Sequence, residues 1–207
     1  IYAENIIPQQ DGSHFDVIYG NEKAKCFVPA VGMHNIYNAL CAICVGIQLG
    51  YTLNEASKGV AAFEPEGMRQ KVTEINGMTF IEDCYNANPD SMCAALETLK
   101  TLKKERIIAV LGDMLELGDY SEKAHSLVGE KSAEVGCDYV LTFGEESKYI
   151  AENAEKGGVK AISFTDKEAL TNYLKSILCE GDTVLFKGSR GMKMEEIFIT
   201  LYKEWEV

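Results

Sequence analysis

The chain has 207 residues, 46% hydrophobic and 25% charged, enough for one large domain or two modest ones with a real core. Its formal net charge of −12 lacks the basic footprint that nonspecific binding to nucleic acid or to a membrane surface requires, although a few cations and backbone amides can still make a local phosphate site. No apolar run approaches the ~20 residues that cross a bilayer, no secretory leader pattern is present, and the chain opens at Ile1 rather than Met, as expected of a piece of a longer protein.

Residues 1–31 carry short alternating runs, Phe15 to Tyr19 and Lys25 to Val28, punctuated by Asp11-Gly12 and Gly20-Asn21, and these predict β-hairpin strands. From His34 to Leu49 the apolar residues Ile36, Leu40, Ile43 and Ile47 recur near helical spacing, with Gly50 as a stop. A second helix is expected over Leu53 to Phe63. Glu64-Pro-Glu-Gly67 then breaks the pattern and marks a domain boundary, giving domains of 1–64 and 65–207.

Beyond it the rhythm changes. Gln70 to Ile75 and Met78 to Asp83 are strands joined by Asn76-Gly77, the strongest two-residue hairpin signal. Helices are then predicted over Pro89 to Leu102, Ser121 to Val135, Glu145 to Ala154, Asp166 to Leu178 and after Gly191. Strands alternate with them at Arg106 to Leu111, Tyr139 to Phe143, Ala161 to Phe164 and Thr183 to Phe186. Short strands that are apolar throughout and alternate with helices imply an α/β domain. It would be a Rossmann-like, doubly wound, mainly parallel sheet that begins with a hairpin and follows a partial α/β domain. Ligands of such sheets collect beyond the carboxyl ends of the strands. Four loops lie there: Asp83 to Asn88, Gly112 to Gly118, Thr142 to Glu145 and Lys187 to Arg190.

Three of these loops and two other segments carry chemistry. In "FIEDCYNANPDSM" (residues 80–92) Asp83 stands too early to cap the next helix; its carboxylate can accept from a ribose diol, Asn86 can meet a base, and Tyr85 can lie against a ring. Asn88, just before Pro89, suits a helix cap as well as a ligand contact. Asn35 and Asn38 share one face of the first helix, and an interior Asn38 needs a reason, an amide reading adenine or a hydrogen bond to a neighbouring loop. Arg69, in Gly67-Met-Arg69-Gln70, can reach a transferred phosphate or form a surface salt bridge. In the loop that begins Gly112-Asp113, Ser121 is a candidate N-cap with His125 one turn on. Lys187, Ser189 and Arg190 can hold a carboxylate or phosphate, or simply solubilise a loop.

Of seven cysteines, Cys41 and Cys44 alone have CxxC spacing, inside an apolar helical run with no second pair; buried thiols in a reducing cytosol are expected, and no metal site. Neither GxGxxG at a strand–helix junction nor GxxxxGK[ST] occurs, which disfavours a nicotinamide-dependent dehydrogenase and leaves no phosphate-cradling loop in this chain.

Taken together, "GMHNIYNAL", "GMRQ", "EDCYNANPDSM", "LGDMLELGDYSEKAH" and "KGSR" resemble the Mur ligase superfamily, the ATP-dependent amide-bond ligases of peptidoglycan precursor synthesis. The resemblance covers essentially the whole chain. It implies that residues 1–64 end a central ATP-binding domain and that 65–207 form the C-terminal ligase domain. It implies ATP and Mg2+ as cofactors, with the P-loop and the metal ligands upstream of Ile1, and a cytoplasmic enzyme that is monomeric at full length. The DxYNANPxSM and GDMxELG forms point to the branch that joins D-alanyl-D-alanine to UDP-N-acetylmuramoyl-tripeptide.

By motif, Asn38 would contact adenine, Arg69 the ATP phosphates and Asp83 the ribose. Tyr85, Asn86 and Asn88 would shape the nucleotide pocket. Thr142, Gly144, Lys187, Ser189 and Arg190 would receive the acceptor. Another Mur-type or folylpolyglutamate-type ligase, or a noncatalytic nucleotide-binding module, fits the same loops.

Overall fold

The computed structural model describes residues 1–9, 12–64 and 70–205, with the side chain of Glu204 left out. The chain divides into two compact units, Ile1–Glu66 and Gly67–Val207. The expected Asp11-Gly12 turn, the Pro65 to Gly67 break and Arg69 lie, wholly or in part, outside the described residues.

In the first unit three antiparallel strands, β1 (Tyr2–Gln9), β2 (Gly12–Tyr19) and β3 (Glu22–Val28), form a sheet in the order β1-β2-β3. Period-two alternation sends Phe15 and Val17 inward against α1 (Met33–Gln48) and α2 (Leu53–Ala61), where they meet Ile36, Leu40, Ile43 and Leu53. Asp16 faces the other way, where Lys23 and Lys25 pair with its carboxylate at 2.9 and 2.6 Å. Helix α1 ends at Gln48, and Gly50 takes the φ of +95° that a side chain would resist. Helix α2 opens on a Thr52–Glu55 capping box.

The second unit begins with the expected hairpin, β4 (Lys71–Ile75) and β5 (Met78–Asp83), whose Asn76 and Gly77 both adopt positive φ, 50° and 76°. The remaining elements follow in alternation: α3 (Pro89–Thr101), β6 (Arg106–Gly112), α4 (Ser121–Glu134), β7 (Tyr139–Phe143), α5 (Lys148–Lys156), β8 (Lys160–Phe164), α6 (Lys167–Ile177), β9 (Asp182–Lys187) and α7 (Glu195–Trp205). The six-stranded sheet has the order β4-β5-β9-β6-β7-β8 and is parallel from β5 onward. Every residue of β9 is buried, as are all but the first of β6, as expected of strands covered on both faces. One face packs Phe80, Val110 and Phe186 against Leu170 and Leu174 of α6 and Ile197, Phe198 and Leu201 of α7. Helices α3, α4 and α5 pack side by side, α3 on β6 and β9 and α5 on β7 and β8.

Two expectations need correction. The helix predicted from Glu145 starts at Lys148, because the amides of Glu145 and Ser147 bond to Asp113, the residue just past β6, instead of opening a helical turn. Ser121 is not an N-cap: a short 3-10 turn, Gly118–Tyr120, runs straight into α4 and Ser121 is already helical. No helix among the described residues is long and apolar enough to cross a membrane.

Candidate functional site

The chain path puts the candidate loops together. From β5 the chain passes through α3 to β6, leaving a gap, then steps outward through β7 and β8; α6 returns it along the other face, and β9 fills the gap. The segments leaving β5 and β6 therefore turn to one face of the sheet and the segment leaving β9 turns to the other. Such a reversal opens a crevice at the carboxyl edge. Asp83 ends β5, Lys187 ends β9 and Gly112 ends β6 at this place.

Register makes the first contact. Asp83 lies opposite Lys187 across the parallel pair, and Leu111 lies opposite Lys187 on its other side. Lys187 is only 2% exposed, and its Nζ donates to Asp83 Oδ2 at 2.6 Å and to the carbonyl of Asn86 at 3.0 Å. Asp83 Oδ1 has no hydrogen-bond partner among the described residues. One carboxylate oxygen is thus anchored and the other remains able to accept. Beside it, Cys84 is buried, and burial pushes its thiol up to about 12, so it serves as packing.

The rest of the loop divides by function. Asn86 turns its Oδ1 back to the amide of Ala87 at 2.8 Å, which leaves its NH2 as the outward donor. The Tyr85 ring is half exposed. Asn88 is the N-cap of α3 in a reciprocal box: its Oδ1 accepts from Ser91 N, and Ser91 Oγ accepts from Asn88 N. Of the two roles open to Asn88, its side chain is taken by the cap.

The neighbouring loops are held by Asp113, which sequence reasoning did not single out. Its buried carboxylate accepts from Ser147 N at 2.7 Å and Glu145 N at 3.2 Å, and its carbonyl accepts from Ser189 N at 3.0 Å. Gly144 makes this approach possible, since a Cβ there, at φ +130°, would lie 2.1 Å from Asp113 Oδ1. An acidic residue immediately after an apolar strand, as at Asp83, was the available signal. Ser189 Oγ accepts from Leu115 N at 2.9 Å, and the buried His125 accepts from Met114 N through Nε2 while its Nδ1 donates to the Ser121 carbonyl at 2.8 Å. These bonds fix the Gly112 to Gly118 loop against the Lys187 to Arg190 loop.

Thr142 does not reach the crevice surface. It is fully buried and shares a hydrogen bond with Ser163 on β8 at 2.8 Å. Arg190 is half exposed and pairs with Glu195 in the first turn of α7, which raises the guanidinium above its ordinary range. On the same side of the sheet edge, burial pushes the Glu82 carboxyl up, and its Oε1 lacks a hydrogen bond, with Lys71 Nζ 3.6 Å away. In the first unit Asn38 is exposed on α1, while Asn35 Nδ2 donates to the Val31 carbonyl at 2.9 Å. Among the described residues no three His, Cys, Asp or Glu side chains gather in a way that could hold a metal ion.

Comparison with known proteins follows the same division. The Mur ligase glutamate ligase domain matches residues 68–190, and the Mur ligase middle domain matches residues 1–46. The chain is 38% identical over 198 residues to the UDP-N-acetylmuramoyl-tripeptide--D-alanyl-D-alanine ligase of Bacillus subtilis, covering 94% of this chain and 43% of that protein. It is 35% identical to the ligase of the same name from Escherichia coli, again covering 94% and 43%. A crystal structure of MurF from Acinetobacter baumannii superposes with a TM-score of 0.86 at 28% identity, over 97% of this chain and 44% of that one. The MurF ligase of Thermotoga maritima, solved in complex with ADP, has the same fold at a TM-score of 0.82 and 24% identity, over 99% and 46%. The chain thus spans less than half the length of the curated relatives it matches. With a domain family matched across most of the second unit and relatives of one name along nearly its whole length, the chain belongs to the Mur ligase family.

Proposed function

We propose that this chain is part of an ATP-dependent ligase that joins D-alanyl-D-alanine to UDP-N-acetylmuramoyl-tripeptide. The observation that carries the reading is Asp83, anchored through Oδ2 by Lys187 and open at Oδ1, at the point where the chain path reverses. An anchored carboxylate with a free oxygen suits a ribose hydroxyl, and the relatives' shared name supplies the acceptor and the donor. In this reading the γ-phosphoryl group passes to the tripeptide carboxylate. The amine of the dipeptide then attacks the acyl carbon, the new C–N bond forms, phosphate leaves with the C–O electron pair, and the nitrogen gives up one proton to solvent or to the departing phosphate. Bound Mg2+ would offset phosphate charge, and its ligands are assigned to no residue of this chain.

The chain's own residues bind and orient. Asp83 accepts from the ribose, the Asn86 NH2 and the Tyr85 ring border the nucleotide, and Asn38 meets adenine. Asn88 contributes by capping α3, which sets the far end of the same loop. Arg69 is assigned to the phosphates from sequence alone. Gly144, Ser189 and Arg190 border the acceptor's side, and Thr142 supports that edge from within. Most of the rate gain then comes from positioning and charge stabilisation.

The test is phosphate release and amide formation by the full-length protein with D-alanyl-D-alanine and, separately, with single amino acids. Ligation restricted to the dipeptide, together with a rise of at least ~10-fold in KM for ATP on Asp83→Ala, is expected. Equal use of single amino acids would move the protein to another Mur-type or folylpolyglutamate-type branch, and tight ATP binding with no turnover would support the noncatalytic module.

A further inference from the structure

Lys187, at the end of β9, ties the loop after β5 to the start of the loop after β9 through its charged side chain. Its ammonium is almost wholly buried, and both its described bonds go to the 83–88 loop. Two residues on, Ser189 is bonded to Leu115 and Asp113. The acceptor-side loops are therefore linked through Lys187 to the residues assigned to the nucleotide.

A buried ion pair is weak evidence of added stability, because apolar side chains of similar volume often serve as well. What a lysine supplies here is direction. Its charge holds Asp83 Oδ2, which fixes the rotamer and turns Oδ1 outward. Its second bond holds the Asn86 carbonyl, which sets the backbone turn that presents Tyr85 and the Asn86 amide. A lysine side chain with 2% exposure has no surface left for a second anion.

We propose that Lys187 is a positioning residue for the nucleotide loop and not a receptor for the acceptor's carboxylate, a role left to the Arg190 and Ser189 side of the crevice. For catalysis the inference rests on the ligase reading; for the order of the loop it does not.

The experiment has two arms that separate these. In the 207-residue chain, amide hydrogen exchange is followed across residues 84–88 in wild type, Lys187→Met, and the double variant Asp83→Asn/Lys187→Met, which removes both charges so that no buried ion is left unpaired. Exchange should quicken at least ~10-fold in both variants while the melting of the second unit in the double variant stays close to wild type. Unchanged exchange at 84–88 overturns the proposal whatever the enzyme does.

In the full-length ligase, Lys187→Met should raise KM for ATP at least ~10-fold, leave KM for D-alanyl-D-alanine within ~2-fold, and add no more than ~2-fold on an Asp83→Asn background. A rise confined to the dipeptide KM would make Lys187 the acceptor's receptor and overturn the proposal. A wild-type protein that forms no amide sinks the ligase reading, and the exchange arm then decides the positioning role.

Discussion

Substituting Gly144 by alanine tests how the carboxyl edge is held. A Cβ at this position would stand 2.1 Å from Asp113 Oδ1, 2.3 Å from Cγ and 2.5 Å from Oδ2, so the carboxylate must move. Moving it breaks its bonds to Ser147 N and Glu145 N, and hydrogen bonds to a charged group are worth about 1.5–3 kcal/mol each. A side chain at φ +130° adds backbone strain of about 1–3 kcal/mol. The weaker of the two bonds is already long, so a total of about 4 kcal/mol is expected. For a unit of the size of Gly67–Val207 the unfolding entropy is about 0.3 kcal/mol per kelvin, and the melting temperature should fall by about 13 °C.

The assay reads this unit directly. Trp205 is the chain's single tryptophan and packs on Phe80 at 5.4 Å, so its fluorescence follows unfolding of the second unit. Asp113→Ala alone should cost about 3 kcal/mol, and Gly144→Ala on that background should cost only the backbone strain, a coupling of about 2 kcal/mol. Additivity within about 0.5 kcal/mol, or a Gly144→Ala shift below about 3 °C, would refute the account of this contact.

Two further outcomes are expected. At the opposite edge of the sheet Arg106 grips the fully buried Asp182 through Nε and Nη2 at 2.8 and 2.7 Å, and Asp182 also accepts from Cys179 N at 2.8 Å. Asp182→Ala should therefore lower stability by about 3 kcal/mol in a urea titration. Glu82 has a folded value raised by burial, so its carboxylate opposes folding at neutral pH and the opposition fades as pH falls through the raised value. Glu82→Gln should accordingly gain stability at pH 7 and lose that advantage near pH 4; an equal change at both would contradict the linkage.

Much of the fold was legible because its signals are local. Asn76-Gly77 demands positive φ at two successive residues, and only a tight hairpin uses that. Asn88 and Ser91 meet their partners within three residues, so cap and helix start can be read together. The alternation of short apolar strands with amphipathic helices was enough for the doubly wound class. The start of α5 was misread because the group that satisfies its first amides, Asp113, is more than thirty residues away in sequence. Thr142 was assigned to a ligand because its place at a strand end says nothing of Ser163 beside it.

By itself, then, the sequence determined the elements, their alternation, the loops that gather at the carboxyl edge and the family motifs within them. The tertiary structure decided which of those loops touch. Insertion of β9 between β5 and β6 brings Lys187 against Asp83 across 104 residues of chain. Strand order is set by nonlocal packing and crossover geometry, which leave no mark at either residue. The same ammonium that reads in sequence as a waiting anion receptor is, once the sheet is assembled, already committed to a carboxylate.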